Sequence, residues 1–179
     1  MVYLFLAEGF EEIEALTPID ILRRADVPVK TVGVGGKTVT GAHGIPVVAD
    51  ITDDDADFGD IDAVILPGGM PGTLNLKSSR KVELAILKAT ENDRLIAAIC
   101  AAPMILGTLG LLNNREAVCF PGFEDELKGA TISEKPVCKS GNIITACGAG
   151  VAAEFGFAIL SYLKNEDETK KLRKTMKYI

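Results

Sequence analysis

The chain has no tryptophan and a single histidine, His43, among its 179 residues. With one imidazole available, any cysteine–histidine dyad must use His43. The four cysteines, Cys100, Cys119, Cys138 and Cys147, show no CxxC spacing and lie far from His43 in sequence. That pattern argues against a structural metal centre, so no metal is expected, and it predicts reduced thiols. No apolar run approaches the roughly 20 residues of a membrane span. The opening MVYLFLAEGFEE has neither a basic n-region nor a small-residue cleavage site, so the expected compartment is the cytoplasm. Phosphate-cradling motifs are missing too: no GxGxxG follows the first apolar run, no P-loop exists, and VGVGGKT leads into a hairpin rather than a helix. A net charge of −6 speaks against nucleic-acid binding. The one basic run, KKLRKTMK, reads as a helix end whose cations suit the negative pole of the dipole.

What is present is the composition of one globular domain over residues 1–179, with 47% hydrophobic and 25% charged residues. Short continuous apolar runs read as buried strands: VYLFLA, VKTVGVG, DAVILPGG, LIAAIC and EAVCF. Helical stripes separate them, in GFEEIEALTPIDILRRA, SRKVELAILKATEND, AAPMILGTLGLL and GAGVAAEFGFAILSYL, followed by a polar terminal helix. Pro18 predicts a kink or a restart in the first helix. TVTGAHGIPVVAD and VCKSGNIITAC read as hairpins. Alternating buried strands and helices predict an α/β sandwich with a mostly parallel sheet, whose sites gather beyond the carboxyl ends of the strands. Four segments then face one crevice: Glu8–Glu14, Gly68-Gly69-Met70, Cys100-Ala101 and Cys147-Gly148-Ala149-Gly150.

Cys100 ends an apolar run and opens a helix. Either it is a core thiol, or it is a nucleophile whose sulfur meets the N–H groups of Ala101 and Ala102 at a tight turn. Gly69 is placed to add a third N–H to an oxyanion hole. Glu11 and Glu12 read as charges complementing the helix dipole. Glu14 lies beside the apolar stripe of Ile13 and Leu16 and is predicted to turn inward, where burial and a neighbouring thiolate would raise its pKa. Cys147 is a possible resolving thiol. His43 sits at a hairpin tip between Gly41 and Gly44, more a turn or interface position than a base.

The stretches EGFEEIEALTPIDILRRA, AVILPGGMPGTLNL, AAICAAP and ITACGAGVAAEFGFAIL, in order along nearly the whole chain, resemble the ThiJ/PfpI superfamily in its DJ-1 branch. The resemblance implies a flavodoxin-like, class I glutamine amidotransferase-like three-layer sandwich. It implies Cys100 as elbow nucleophile, Glu14 as its protonated partner and Gly69 with Ala101 as backbone oxyanion donors. Gly68, Phe120, Gly148 and Ala149 would complete the pocket. It also implies no cofactor, and a homodimer with the first helix and the His43 hairpin near the interface, so that His43 could approach the partner's pocket. Activity on small reactive carbonyls is implied, of the glutathione-independent glyoxalase or deglycase kind. The alternative is a redox sensor or redox-regulated chaperone in which Cys100 oxidises to a sulfinate. Two departures weigh against a peptidase: Ala101 stands where a peptidase has histidine, and Phe120 stands where many members carry one.

Overall fold

The computed structural model describes residues 1–178. In chain order the elements are β1 (Val2–Leu6), α1 (Glu12–Arg24), β2 (Val29–Gly33), the hairpin β3 (Thr38–Thr40) and β4 (Pro46–Val48), and β5 (Ile51–Thr52). They continue with β6 (Ala63–Leu66), α2 (Gly72–Ser78), α3 (Arg80–Glu91), β7 (Leu95–Ile99) and α4 (Pro103–Thr108). Last come β8 (Glu116–Ala117), β9 (Thr131–Ile132), β10 (Val137–Ser140), β11 (Ile143–Ala146), α5 (Ala152–Leu163) and α6 (Glu166–Thr175). Seven strands form one sheet in the order β10-β11-β7-β6-β1-β2-β5, parallel except where β10 runs antiparallel to β11.

The alternation of β1 divides the core into two layers. Tyr3 and Phe5 face the helices α3 and α4, meeting Val82, Ile86 and Leu106. Val2, Leu4 and Leu6 face α1 and α5, meeting Ile19, Leu22, Phe155 and Ile159. With both faces covered, every residue of β1, β6, β7 and β11 is buried, which is why these strands read as unbroken apolar runs. The result is an α/β flavodoxin-like sandwich.

Four readings need correction. The α1 helix runs unbroken through Pro18, which removes only the amide that would have bonded the Glu14 carbonyl. Pro18 lies where α1 crosses α5, and Gly156 of α5 makes room for it: a Cβ there would lie 3.1 Å from the Pro18 Cα. The segment EAVCF does not join the central sheet. Only Glu116 and Ala117 are extended, in a separate parallel pair with Thr131 and Ile132. Beyond them, the Val118 N–H donates to Thr145 Oγ1 at 2.9 Å and the Phe120 N–H to the Cys100 carbonyl at 2.9 Å, so the chain crosses the strand ends instead. The helix after β7 stops at Thr108, short of the predicted run to Leu112, as Gly110 takes a φ of +72°. Finally, α2 and β5 are too short to leave a periodic signal, and sequence reading missed both.

The order of strands places a topological switch between β1, whose next strand β2 lies on one side, and β6 on the other. Crevices form at such points, beyond the carboxyl ends of the strands.

Candidate functional site

The loops after β1, β6, β7 and β11 meet at this crevice. Cys100 follows β7 directly and has a φ of +64°, a left-handed conformation costing a non-glycine residue about 1–2 kcal/mol. Its backbone is held from both sides. The N–H donates to the Ala146 carbonyl of β11 at 2.9 Å, and the carbonyl accepts from Phe120. This turn aims the N–H groups of Gly69 and Ala101 at the sulfur. The Ala102 N–H, expected there as well, instead donates to the Ile99 carbonyl at 3.0 Å and closes the turn.

Glu14, in the first turn of α1, is 1% exposed. Its Oε2 accepts from the Gly68 N–H at 2.9 Å, and the carboxyl is hydrogen-bonded to the Cys100 thiol. Burial pushes the Glu14 carboxyl up to about 7, against the opposing pull of the Gly68 and Cys100 hydrogen bonds. Burial also pushes the Cys100 thiol up to about 12, the Glu14 charge and hydrogen bond adding to it, while the Gly69 and Ala101 N–H groups pull it down. Burial and the Glu14 charge thus oppose the thiolate, while the Gly69 and Ala101 N–H groups favour it. The Glu14 contribution exists only while that carboxylate is ionised. Once protonated, the carboxyl becomes a donor to sulfur and burial alone opposes the thiolate, so the two groups titrate as a unit.

Gly68 leaves the room that brings them together. A Cβ on it would lie 2.6 Å from the Cys100 Cβ and 2.7 Å from Glu14 Oε2. Gly69 has a φ of +88°, and a Cβ there would run into the backbone of Gly9 to Glu11. On the other side, the half-exposed Phe120 ring packs against Gly148, where a built Cβ would lie 3.2 Å from the ring. Ala149 begins the short 3₁₀ turn leading into α5. Cys147, half-buried, is a free thiol whose N–H bonds the Pro136 carbonyl at 3.0 Å.

His43 bonds Glu12. Its Nδ1 lies 2.9 Å from Glu12 Oε2, and its backbone N–H donates to Glu12 Oε1 at 2.8 Å. Glu12 is 5% exposed, so it does more than complement a dipole. Burial alone would raise its carboxyl, but the bonds from the His43 ring and from backbone N–H groups outweigh that and hold it low. In return Glu12 and the nearby Glu11 raise the His43 pKa. Sequence reading missed this role because a contact 31 residues apart leaves no local pattern. Its one trace is Gly41, where any side chain would overlap Glu12. Among the described residues, one trio of potential metal ligands lies close enough to share an ion, Glu11, Glu12 and His43, and there the ring is occupied by Glu12.

Two grooves lie elsewhere, one beside Val2, Asp62 and Arg94 at the opposite end of the sheet and one between α5 and α6. Cys100, half-buried, lines neither of them.

The model of the DJ-1/PfpI family matches residues 1–162. The chain belongs to the DJ-1/PfpI family. Protein DJ-1 homolog B of Arabidopsis thaliana is 37% identical over 166 residues, covering 91% of this chain and 38% of that protein. The chain thus spans less than half the length of this relative. Deglycase PH1704 of Pyrococcus horikoshii is 30% identical over 149 residues, 82% of this chain and 89% of that protein. Among solved structures, oxidized Toxoplasma gondii DJ-1 superposes with a TM-score of 0.95 at 34% identity, covering 99% of this chain and 97% of that one.

Proposed function

We propose that this DJ-1/PfpI chain acts on small reactive carbonyls through Cys100 and Glu14, as a glutathione-independent glyoxalase or deglycase. The observation that carries the reading is the buried Glu14 carboxyl hydrogen-bonded to a thiol on a strained turn, with two backbone N–H groups at the sulfur. A carboxyl with a pKa of about 7 can both give and take a proton near neutrality. The name of the Pyrococcus relative, a deglycase, favours the same chemistry.

With methylglyoxal, the sulfur adds to the aldehyde carbon and the thiol proton passes through Glu14 to the carbonyl oxygen, giving a hemithioacetal. The Glu14 carboxylate then removes the proton from that carbon and returns it to the neighbouring one, while the hydroxyl proton of the first carbon passes to the oxygen of the second. The product is the thioester of a hydroxyacid, which water hydrolyses to lactate and free Cys100. No electron acceptor is needed, because one carbon is oxidised as its neighbour is reduced. The Gly69 and Ala101 N–H groups face the charge that develops on oxygen. With no imidazole bonded to Cys100 or Glu14, turnover is expected to be slow. Methylglyoxal conversion to lactate by the intact chain, lost in both Cys100→Ser and Glu14→Gln, is the expected result. Unchanged turnover in either variant overturns the mechanism.

A second reading is supported by the oxidized state of the Toxoplasma relative. Two equivalents of hydrogen peroxide would convert the Cys100 thiol to a sulfinic acid and release two waters, with Glu14 hydrogen-bonded to the product. Intact-mass analysis after mild peroxide should then show two added oxygens that Cys100→Ser abolishes. Prior oxidation of Cys119 or Cys138 would exclude it.

The outward faces of α1 and of the β3–β4 hairpin leave Ile13, Leu16, Ile45 and Val48 exposed, which supports a homodimer through this surface. No helix among the described residues is long and apolar enough to cross a membrane, and a cytoplasmic location is part of the same proposal.

A further inference from the structure

The hairpin tip that carries His43 is fastened to the Glu8–Glu12 segment, which packs against the Gly68-Gly69 turn beside Cys100. The Gly9 N–H donates to the Thr40 carbonyl at 2.8 Å and the Ala42 N–H to the Phe10 carbonyl at 2.8 Å. The Thr40 N–H donates to Glu8 Oε1 at 3.1 Å. Glu12 completes the fastening by accepting both the backbone N–H and the ring of His43. The segment so held makes a bond of its own toward the sulfur: the Glu11 N–H donates to the Gly68 carbonyl at 2.9 Å. That carbonyl belongs to the same rigid peptide plane as the Gly69 N–H, which points at Cys100. Holding the carbonyl therefore sets the direction of the donor. Glu14, two residues beyond Glu12 on the first turn of α1, accepts the other Gly68 amide.

We propose that Glu12 and His43 form a latch that positions the Gly68–Gly69 peptide and Glu14 around the Cys100 sulfur, although neither touches it. Both are positioning residues, and the inference rests on the reading of Cys100 as a reactive thiol. The charged groups around the imidazole are Glu11, just before α1, and Glu12 in its first turn, and Glu8 lies beside the base of the hairpin. The ring is exposed, so replacing it leaves no buried cavity. An asparagine at position 43 carries an amide N–H near the place of Nδ1, so it can restore the bond that alanine removes.

The test measures iodoacetamide alkylation of Cys100 against pH by peptide mapping, with amide hydrogen exchange of Glu11 and Gly69 on the same proteins. In Glu12→Ala and His43→Ala, alkylation at neutral pH should fall about tenfold, as a misaligned reactive group does, and its pH midpoint should rise. Exchange at both amides should quicken about tenfold as the segment loosens. His43→Asn should return both readouts to within about twofold of wild type, and the double alanine variant should be no worse than either single one. Wild-type alkylation and exchange in His43→Ala, or His43→Asn as impaired as His43→Ala, overturns the latch. If wild-type Cys100 labels no faster than buried Cys119, the reading of a reactive thiol fails instead, and the exchange measurement still decides the latch.

Discussion

Ionising Glu14 costs the folded chain stability, because its carboxyl sits between Gly68 and Cys100 with almost no water. Its pKa is raised from 4.5 to about 7, so the folded state holds the proton more tightly than the unfolded one. Stability from this group is complete below pH 4.5 and is lost as the pH climbs through 7, by about 3 kcal/mol at 1.36 kcal/mol per pH unit. Glutamine keeps the shape without the charge. The stability of Glu14→Gln relative to wild type should therefore improve by about 3 kcal/mol between pH 4.5 and 8, while the proposed carbonyl turnover is lost. Urea titrations across that range measure it, and a pH-independent difference would contradict the burial argument. Gly68→Ala presses a methyl into the same pair, with 2.6 Å to Cys100 Cβ and 2.7 Å to Glu14 Oε2. Overpacking of this kind costs about 1–3 kcal/mol, and carbonyl turnover should fall with it.

At the scale of elements, the strained turn at Cys100 is kept by neighbours that cross the strand ends. The crossing segment is pinned by two bonds: Phe120 N–H to Cys100, and Val118 N–H to the buried hydroxyl of Thr145 on β11. Thr145→Val keeps the packing but leaves the Val118 N–H unpaired in the interior. The expected loss is about 1–3 kcal/mol, read from the shift in urea midpoint, with faster hydrogen exchange at Val118. A variant as stable as wild type would mean that water reaches this amide. The strand-end crossing also explains why EAVCF was legible as apolar and extended yet misplaced in the sheet. Periodicity reports burial, and here the partners are the short β9 strand, a hydroxyl and a carbonyl rather than a strand of the central sheet.

For the whole molecule, exposed apolar residues stand on α1 (Ile13, Leu16) and on the hairpin docked on its first turn (Ile45, Val48). A homodimer burying Ile13, Leu16, Ile45 and Val48 should sediment as such, and the Ile13→Glu, Val48→Glu pair should give monomers that keep the fold by circular dichroism. Wild type sedimenting as a monomer at micromolar concentration would remove the dimer from the proposed function. The Glu12–His43 contact joins the same helix and hairpin, so the proposed association would bear on the arrangement at Cys100.

Much of the architecture was written in the sequence. Continuous apolar strands, helical stripes and turn glycines determine a mostly parallel sandwich and which strand ends share a crevice, because burial on both faces of a strand demands an unbroken apolar run. Cys100 and the Gly68-Gly69 pair stood out as candidates because each ends or follows such a run, and Glu14 because it flanks the apolar stripe of α1. What the tertiary structure alone decided is how these groups interact. The proton shared by Glu14 and Cys100, the diversion of the Ala102 amide into the turn and the pairing of His43 with Glu12 depend on distances between residues remote in sequence. Local pattern carries no record of such contacts, and burial at a few ångströms sets which group holds the proton.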